Sequence, residues 1–282
     1  MKADLPKLAN EGLMKKIAVG VAVALLMFSG SAFAEEKIRI AGSGSMISLL
    51  NELTKAYAAE HKDVVFDINQ KSIESTGGVR AAAAGQIEIG LVSRSLKDDE
   101  KALVHAVEIS RVATVIGVNR SVTIKAITSE QLCKIYSGNI TNWKDLGGAA
   151  ENIVPLTRPD RDATKETVRK SLACFRELKE SATVVTVPTS PEMTKMLSSR
   201  PDTIGFTDSV ALDDSAGAII GLTLDGVAPT SDNVRNARYK IIKNNYLVTK
   251  GEPRGAVKAF IDFVKGPKGA KIIEANKAVP VK

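Results

Sequence analysis

The sequence predicts an α/β protein in which helices flank mostly parallel β-sheets. Short apolar segments alternate with segments whose apolar residues recur at helical spacing, from Ile38 to a last helix near Pro267. Three polar turns join a strand to a helix, as expected for parallel strands with helical connections. The 282-residue chain is long enough to form two lobes, each with its own core.

Residues 1–34 are predicted to be a secretory signal peptide. Lys15 and Lys16 precede an apolar run at 17–28, and a small-x-small cleavage site follows at 32–34. The alternative, a membrane anchor, is disfavoured because this run is shorter than the ~20 residues that span a bilayer. Met14 is a better start for such a peptide than Met1. We therefore expect an exported protein.

The charge balance favours an anionic ligand. The formal net charge of the chain is +7, and residues 1–34 hold four lysines and two acidic residues, so their removal leaves +5. The charges are dispersed, without a basic block interleaved with aromatic residues. A nucleic-acid partner is therefore not expected.

The first part of the chain alternates strands and helices. The patterns predict strands at 38–40, 64–68 and 87–91 and a long apolar strand at 112–118, with helices from Met46, at 77–84 and at 97–104. The turn 41–46, Ala-Gly-Ser-Gly-Ser-Met, places free backbone N–H groups and the positive end of a helix dipole at a strand's carboxyl end. Ser75 and Thr76 occupy a second such helix N-terminus.

The second part continues the alternation. Thr128 and Gln131 form a capping box that predicts a helix closed by Gly138. Further strands are predicted at 153–158, 184–187, 203–207 and 218–224, with a second extended segment at 239–249. Helices are predicted up to Phe175, from Ser190 and Pro191, and near Pro253 and Pro267. The helix that ends at Phe175 follows the third polar turn, at 159–164.

Cys133 and Cys174 are the only cysteines. In an exported protein an even pair favours a disulfide, and both residues lie in predicted helices of the same lobe. The competing interpretation is two buried thiols that act as small apolar residues.

Nothing in the sequence indicates a cofactor or a metal. The two histidines, His61 and His105, lie in polar contexts remote in sequence from the serine-rich turns, so a Ser-His-Asp site has no obvious base. No Cys/His spacing fits zinc, and no Asp-rich loop fits calcium. Gly42 and Gly44 lack the third glycine of a dinucleotide fingerprint.

Hydroxyl groups and one arginine at the carboxyl ends of strands predict an anion site. The hydroxyl donors are Ser45, Ser75, Thr76, Ser93 and Thr164, and Arg158 offers a bidentate grip on two oxygens. In open α/β sheets ligands bind at that edge, so the three turns are expected to converge if two lobes face each other. The alternative is that Ser45, Ser75 and Thr164 only cap helices and that Arg158 and Arg94 form surface ion pairs.

These residues resemble those of the periplasmic phosphate-binding proteins of ABC transporters, which have the two-lobed type II periplasmic binding protein fold. The resemblance rests on the segments 41–46, 75–79, 86–94 and, most specifically, 136–148, Tyr-Ser-Gly-Asn-Ile-Thr-Asn-Trp-Lys-Asp-Leu-Gly-Gly. It implies two lobes, each with a mostly parallel sheet flanked by helices, joined by two crossover strands that act as a hinge at 112–119 and 239–249. Lobe 1 is expected at 35–113 and 246–282, and lobe 2 at 114–245.

The resemblance also implies ligand positions. They fall at Ser45, Met46 and Ser75, and at Arg158 and Thr164 of an Arg-x-x-Gly-Ser-Gly-Thr motif. The carboxylate that accepts a phosphate proton in many members of the family falls at Ser93. Arg161, Asp162 and Ala163 replace Gly, Ser and Gly.

This departure leaves two hypotheses. Either Asp162 has taken over the acceptor role lost at Ser93, or the ligand is a different anion or small polar solute. A fully deprotonated oxyanion such as sulfate has no proton to offer Asp162 and is disfavoured by it.

We therefore predict a periplasmic solute-binding protein, not an enzyme, that captures phosphate or a related oxyanion between two lobes and delivers it to an inner-membrane ABC permease. It is expected to be a monomer without a cofactor. The alternative is a periplasmic module for a different small anionic or polar ligand, feeding a sensor or another transporter. A third hypothesis, a hydrolase using Ser45 or Ser75, lacks a base.

Overall fold

A ten-stranded sheet with helices packed against it forms the centre of the molecule, as shown by a computed structural model that describes residues 35–281. The predicted signal peptide lies outside the described residues. The elements of the first part are β1 (Glu36–Gly42), a 3₁₀ turn (Gly44–Met46), α1 (Ile47–Glu60), β2 (Val64–Ile68), α2 (Glu74–Ala83), β3 (Ile89–Val92), α3 (Asp98–Lys101) and β4 (His105–Asn119).

The middle part contributes short strands and capped helices. Its elements are β5 (Ala126–Ile127), α4 (Ser129–Tyr136), a 3₁₀ turn (Trp143–Leu146), β6 (Val154–Thr157), α5 (Ala163–Ser171), a 3₁₀ turn (Ala173–Phe175), β7 (Val185–Thr186), α6 (Ser190–Ser199), β8 (Thr203–Asp208), α7 (Ser209–Asp214), β9 (Ile219–Gly221), β10 (Thr223–Leu224) and α8 (Ser231–Arg235). The last part consists of β11 (Ile242–Thr249), α9 (Gly255–Lys265), α10 (Pro267–Ala275) and β12 (Val279–Pro280).

The sheet consists of two parallel groups joined by two crossover strands. Its order is β2-β1-β3-β11-β4-β8-β6-β7, with β9 and β12 also paired to β4. Strands β2, β1 and β3 are parallel, as are β8, β6 and β7. Between the groups, β11 and β4 run antiparallel to each other and to their outer neighbours. The predicted α/β fold with mostly parallel sheet groups and two crossover strands is confirmed.

Two large apolar clusters form the core, and β4 contributes to both. The first cluster surrounds Leu50 and Phe260, and the second surrounds Tyr136 and Phe206. Within β4, Val112 belongs to the first cluster, whereas the next residue belongs to the second. The long apolar strand therefore passes from one core to the other.

Several predicted elements differ in extent from the observed ones. The helix predicted at 97–104 is the single turn Asp98–Lys101, because Leu103 is left exposed and offers no apolar anchor for further turns. The helix predicted to reach Phe175 ends at Ser171, because Leu172 adopts an extended conformation before a separate 3₁₀ turn. The strand predicted at 218–224 is divided into β9 and β10, which pair with β4 and β5 respectively.

Cys133 and Cys174 form a disulfide bond, which links α4 to the 3₁₀ turn after α5. The predicted pairing is confirmed. The predicted capping box is also present, since Thr128 accepts from the Gln131 amide while the Gln131 side chain accepts from the Thr128 amide. Gly138 follows α4 at φ +82°, a conformation that suits glycine.

Candidate functional site

Three serines from separate strand-to-helix turns form a hydroxyl cluster at the carboxyl edge of the first parallel group. Ser45 donates from Oγ to Ser93 Oγ over 3.0 Å, and its Oγ lies 3.2 Å from that of Ser43. Ser75 Oγ accepts from the Ser93 amide over 3.2 Å. Parallel pairing of β1 with β3 puts the residues that follow these strands side by side. Ser45, Ser75 and Ser93, three of the predicted hydroxyl donors, therefore lie next to one another.

The hydroxyl cluster is connected to both crossover strands through Asn245. Ser93 Oγ donates to Asn245 Oδ1 over 2.8 Å, and Asn245 Nδ2 donates to Ser110 Oγ over 3.1 Å. All three residues are buried. Asn245 was not predicted as a site residue. The available signal was an amide side chain within a segment predicted to be an inter-lobe strand, because polar groups buried there are normally hydrogen-bonded.

Arg158 and Asp162 form a buried pair at the start of α5, in the other part of the sheet. Arg158 is 2% exposed, and its Nη1 donates to Val187 O over 2.8 Å while Nη2 donates to Asp162 Oδ2 over 2.7 Å. Asp162 Oδ1 accepts from the amides of Thr164 and Lys165 over 2.9 and 3.1 Å. Both Asp162 oxygens are therefore engaged, one with the arginine and one in capping α5.

Thr164 lies at the first turn of α5 with its side chain 4% exposed. Its hydroxyl makes no hydrogen bond within residues 35–281, and Thr164 lines the same cavity as Ser45. The Thr164 hydroxyl can therefore donate to, or accept from, a ligand in this cavity.

Glu74 lies between the hydroxyl cluster and the pair of Arg158 with Asp162. It was not predicted as a site residue. Its Oε1 lies 3.4 Å from Arg158 Nη2, so the first residue of α2 reaches the arginine that pairs with Asp162. Glu74 adopts φ +62°, which is uncommon for a residue other than glycine, and it directly precedes Ser75. The acidic residue beside a predicted ligand serine was the signal available in the sequence.

The Glu74 carboxyl is perturbed by its surroundings. Burial raises the pKa of Glu74 above its ordinary value, and the Asp162 carboxylate raises that pKa further, while Arg158 acts in the opposite direction. One guanidinium therefore faces two carboxyl groups, which leaves little net positive charge at this position. Such a setting opposes a fully ionised oxyanion more than a protonated one.

Glu74→Gln is expected to raise the free energy of unfolding at about pH 7, because folding disfavours the ionised form of an acid whose pKa is raised. The destabilisation caused by the ionised Glu74 carboxylate is fully present above its raised folded-state pKa and disappears below the ordinary pKa of a glutamate in the unfolded chain. The advantage of the variant should therefore shrink as the pH falls, which thermal unfolding across about pH 4 to 7 measures.

Glu130→Gln is the matched control for this effect. A hydrogen bond from Lys134 lowers the pKa of Glu130, so its substitution should give no gain in stability at neutral pH. A Glu74→Gln variant that gains no stability, or gains the same amount at every pH, would contradict the assignment.

Arg94 makes a second set of contacts between the two groups of elements. Its Nη1 and Nη2 each donate to the Glu100 carboxylate over 2.7 Å, and Nη2 also donates to Thr76 Oγ1 over 2.9 Å. Its Nε lies 3.1 Å from Glu166 Oε2 on α5, and Lys97 Nζ lies 3.0 Å from Glu166 Oε1. Arg94 is 2% exposed, so the surface ion pair considered from the sequence is instead a buried one.

The cavity lined by Ser45 and Thr164, with residues from both parts of the sheet, is called the cleft below. The remaining predicted site residue, Met46, does not line it. Its side chain is fully buried in the first apolar cluster, and its amide donates to Ser43 O over 3.2 Å. The structure thus groups Ser45, Ser75 and Ser93, pairs Arg158 with Asp162, and places Thr164 on the same cavity as Ser45. Thr76 holds Arg94, and the Met46 side chain lies in the core.

The described residues hold no group of three or more His, Cys, Asp or Glu side chains arranged to bind a metal ion. Of the helices within 35–281, none combines the length and the apolar character that crossing a bilayer requires.

Comparisons with known proteins place the chain in a family. A family model for a PBP superfamily domain matches residues 29–268. The phosphate-binding protein PstS of Bacillus subtilis (strain 168) is 31% identical over 262 residues, which cover 90% of this chain and 85% of that protein. The chain belongs to the PBP superfamily and, within it, to the PstS phosphate-binding proteins. The resemblance inferred from the sequence is confirmed.

Solved structures agree with this membership. A protein from Clostridium perfringens, reported as a phosphate ABC transporter substrate-binding protein with bound phosphate, superposes with a TM-score of 0.81 at 29% identity, covering 88% of this chain and 100% of that one. An ABC-type phosphate transport receptor from Vibrio cholerae gives a TM-score of 0.66 at 25% identity, covering 86% and 99%. The family has a binding role, so the prediction that the chain is not an enzyme is confirmed.

Proposed function

We propose that this chain is a solute-binding protein that captures inorganic phosphate in the cleft and delivers it to an ABC permease. The observation that carries the proposal is that Ser45, from the serine cluster, and Thr164, from the other part of the sheet, line one cavity. Arg158 approaches the first part of the sheet through Glu74, the residue before Ser75. Hydroxyl donors, helix N-termini and a guanidinium are the groups that bind a tetrahedral oxyanion. Relatives named for phosphate binding, and the C. perfringens structure that holds phosphate, support this ligand.

The proposed ligand groups come from both parts of the sheet. Ser45, Ser75 and Ser93 supply hydroxyls from the first part, while Arg158 and Thr164 act from the second. The backbone of Met46, in the same turn as Ser45, is also counted among the proposed ligand groups, as the family pattern implies. Thr76 and Asp162 position the site, because they contact Arg94 and Arg158 respectively.

We further propose that the lobes comprise 35–113 with 246–282, and 114–245, and that they close by hinge motion about β4 and β11. The change of core cluster after Val112 supports a boundary there. Closure would be favoured by contacts that only the closed form completes, among them the pair between Arg94 and Glu166. The sequence pattern of residues 1–34 supports export to the periplasm, where we expect a monomer.

A different small ligand, feeding a sensor or another transporter, is the second candidate. The observation that favours it is the pairing of Arg158 with Asp162 and its approach to Glu74, which reduce the positive charge available to a dianion. The gene neighbours would separate a transporter component from a sensor.

Calorimetric titration of the ligand-free protein with phosphate, across about pH 5 to 8.5, tests the proposal. Tight phosphate binding without a response to sulfate would support it. The absence of phosphate binding would contradict the proposal and favour the second candidate, a different small ligand.

Ser45→Ala is expected to weaken phosphate binding at least about tenfold, because it removes a hydroxyl donor to a charged ligand. The matched control is Ser199→Ala at the end of α6, an exposed serine outside the cleft lining, which should bind normally. Unchanged affinity of Ser45→Ala would remove Ser45 from the site.

A further inference from the structure

A cavity of about 410 Å³ adjoins the proposed anion site, and an inorganic oxyanion does not account for its size. Pockets for small organic molecules measure about 300 to 1,000 Å³, whereas phosphate has only five non-hydrogen atoms. The cavity is continuous with the anion site, because Ser45 and Thr164 form part of its wall. A ligand held at these two residues would therefore have space for an attached group.

One wall of the cavity is apolar and preformed. Ile47 from α1, Phe206 from β8 and Val210 from α7 line it. Each of these residues is less than one-tenth exposed. Such walls suit a short carbon chain, since they exclude water from it. They come from both parts of the sheet, as do the proposed anion ligands.

One hydroxyl at the cavity makes no hydrogen bond within the protein. Thr207 is 7% exposed and lines the cavity, and its side chain makes no hydrogen bond anywhere in the described part of the chain. Its hydroxyl can therefore donate to, or accept from, a ligand hydroxyl or a water. This position is suited to recognise a polar group on the attached chain.

The charges at the cavity disfavour a second anionic group on the ligand. Asp208 lines it and is paired with buried Lys243, whose Nζ lies 3.1 Å from Asp208 Oδ2. Asp214 also lines it and accepts from Ser48 over 3.3 Å. Among the lining residues in the described chain there is no lysine or arginine. A carboxylate placed here would be desolvated without a cationic partner.

We propose that the cleft also accepts phosphate monoesters or phosphonates that carry a small uncharged, hydroxyl-bearing substituent. The phosphoryl group occupies the anion site at Ser45 and Thr164, and the substituent lies in the cavity beside Thr207. The inference rests on the proposed function, because it uses the same anion site.

Competition calorimetry with three probes tests this: inorganic phosphate, glycerol 1-phosphate and 3-phosphoglycerate. Glycerol 1-phosphate is expected to bind within about tenfold of phosphate, since its phosphoryl contacts are the same and its substituent fits the cavity. In 3-phosphoglycerate a carboxylate replaces the terminal hydroxymethyl group of the same three-carbon chain, so this probe should bind at least about tenfold more weakly than glycerol 1-phosphate.

Two variants locate the substituent. Ala211→Leu fills part of the cavity and should weaken glycerol 1-phosphate binding at least about tenfold, with phosphate affinity unchanged. Thr207→Val keeps the side-chain shape and removes the hydroxyl, so it should weaken the ester at least about threefold. Phosphate binding by each variant shows that it is folded.

The outcomes separate this inference from the proposed function. Phosphate binding without ester binding would overturn the inference and leave the proposed function standing. Ester binding that neither variant weakens would also overturn it, because the substituent would then lie elsewhere. Failure of phosphate and ester alike, in the unchanged protein, would overturn both.

Discussion

Arg158→Ala is expected to lower phosphate affinity at least about 30-fold, because truncating one partner of a buried charged contact loses about 2 kcal/mol or more of binding free energy. The guanidinium is buried and held by Val187 O and Asp162, so its position is fixed before the ligand arrives. Its removal also leaves the carboxylates of Asp162 and Glu74 facing the ligand without a cation.

Calorimetric titration with phosphate measures the effect, and thermal unfolding shows whether the variant is folded. Arg158→Lys keeps the charge and removes the planar fork, so it should recover only part of the affinity. Arg169→Ala is the matched control, since this partly exposed arginine lies on α5 and, among residues 35–281, pairs only with Asp160. Equal affinities for Arg158→Ala and Arg169→Ala would exclude Arg158 from the site.

Loss of the disulfide is expected to be the largest change in stability. The bond joins cysteines 41 positions apart, and closing a loop of that length stabilises a fold by about 4 kcal/mol in the chain-entropy model. For a protein of this size that corresponds to a decrease in Tm of about 10 °C. The measurement is thermal unfolding of the Cys133→Ser, Cys174→Ser double variant.

Reduction provides the internal control. Dithiothreitol should lower the Tm of the unchanged protein toward that of the double variant, and it should not affect the variant itself. Phosphate affinity should be retained, because neither cysteine lines the cavity at the anion site. A double variant as stable as the oxidised protein would show that the bond contributes little.

The sequence by itself determined the features that depend on neighbouring residues. Helix starts such as the Thr128 capping box and Pro191 were predictable because their hydrogen bonds and backbone angles involve residues within one turn. The edge at which Ser45, Ser75 and Ser93 gather was also predictable, since the carboxyl ends of parallel strands share one edge.

Elements with little periodicity were less predictable. The short helices α7 and α8 follow an Asp208 cap and a Thr230 cap rather than a long apolar stripe, so they left little pattern in the sequence. The end of α5 at Ser171 was likewise not predictable from the sequence. The residues that follow are still apolar, although Leu172 is extended and no longer helical.

Only the tertiary structure decided which charges meet in the cleft. Glu74 and Arg158 are 84 positions apart, and Ser93 and Asn245 are 152 positions apart. Local patterns show neither the burial of Arg94 nor the engagement of both Asp162 oxygens. These contacts depend on how the two parallel groups are joined through β4 and β11. The whole fold buries these groups next to each other, and buried charges and polar groups are unfavourable unless they are paired.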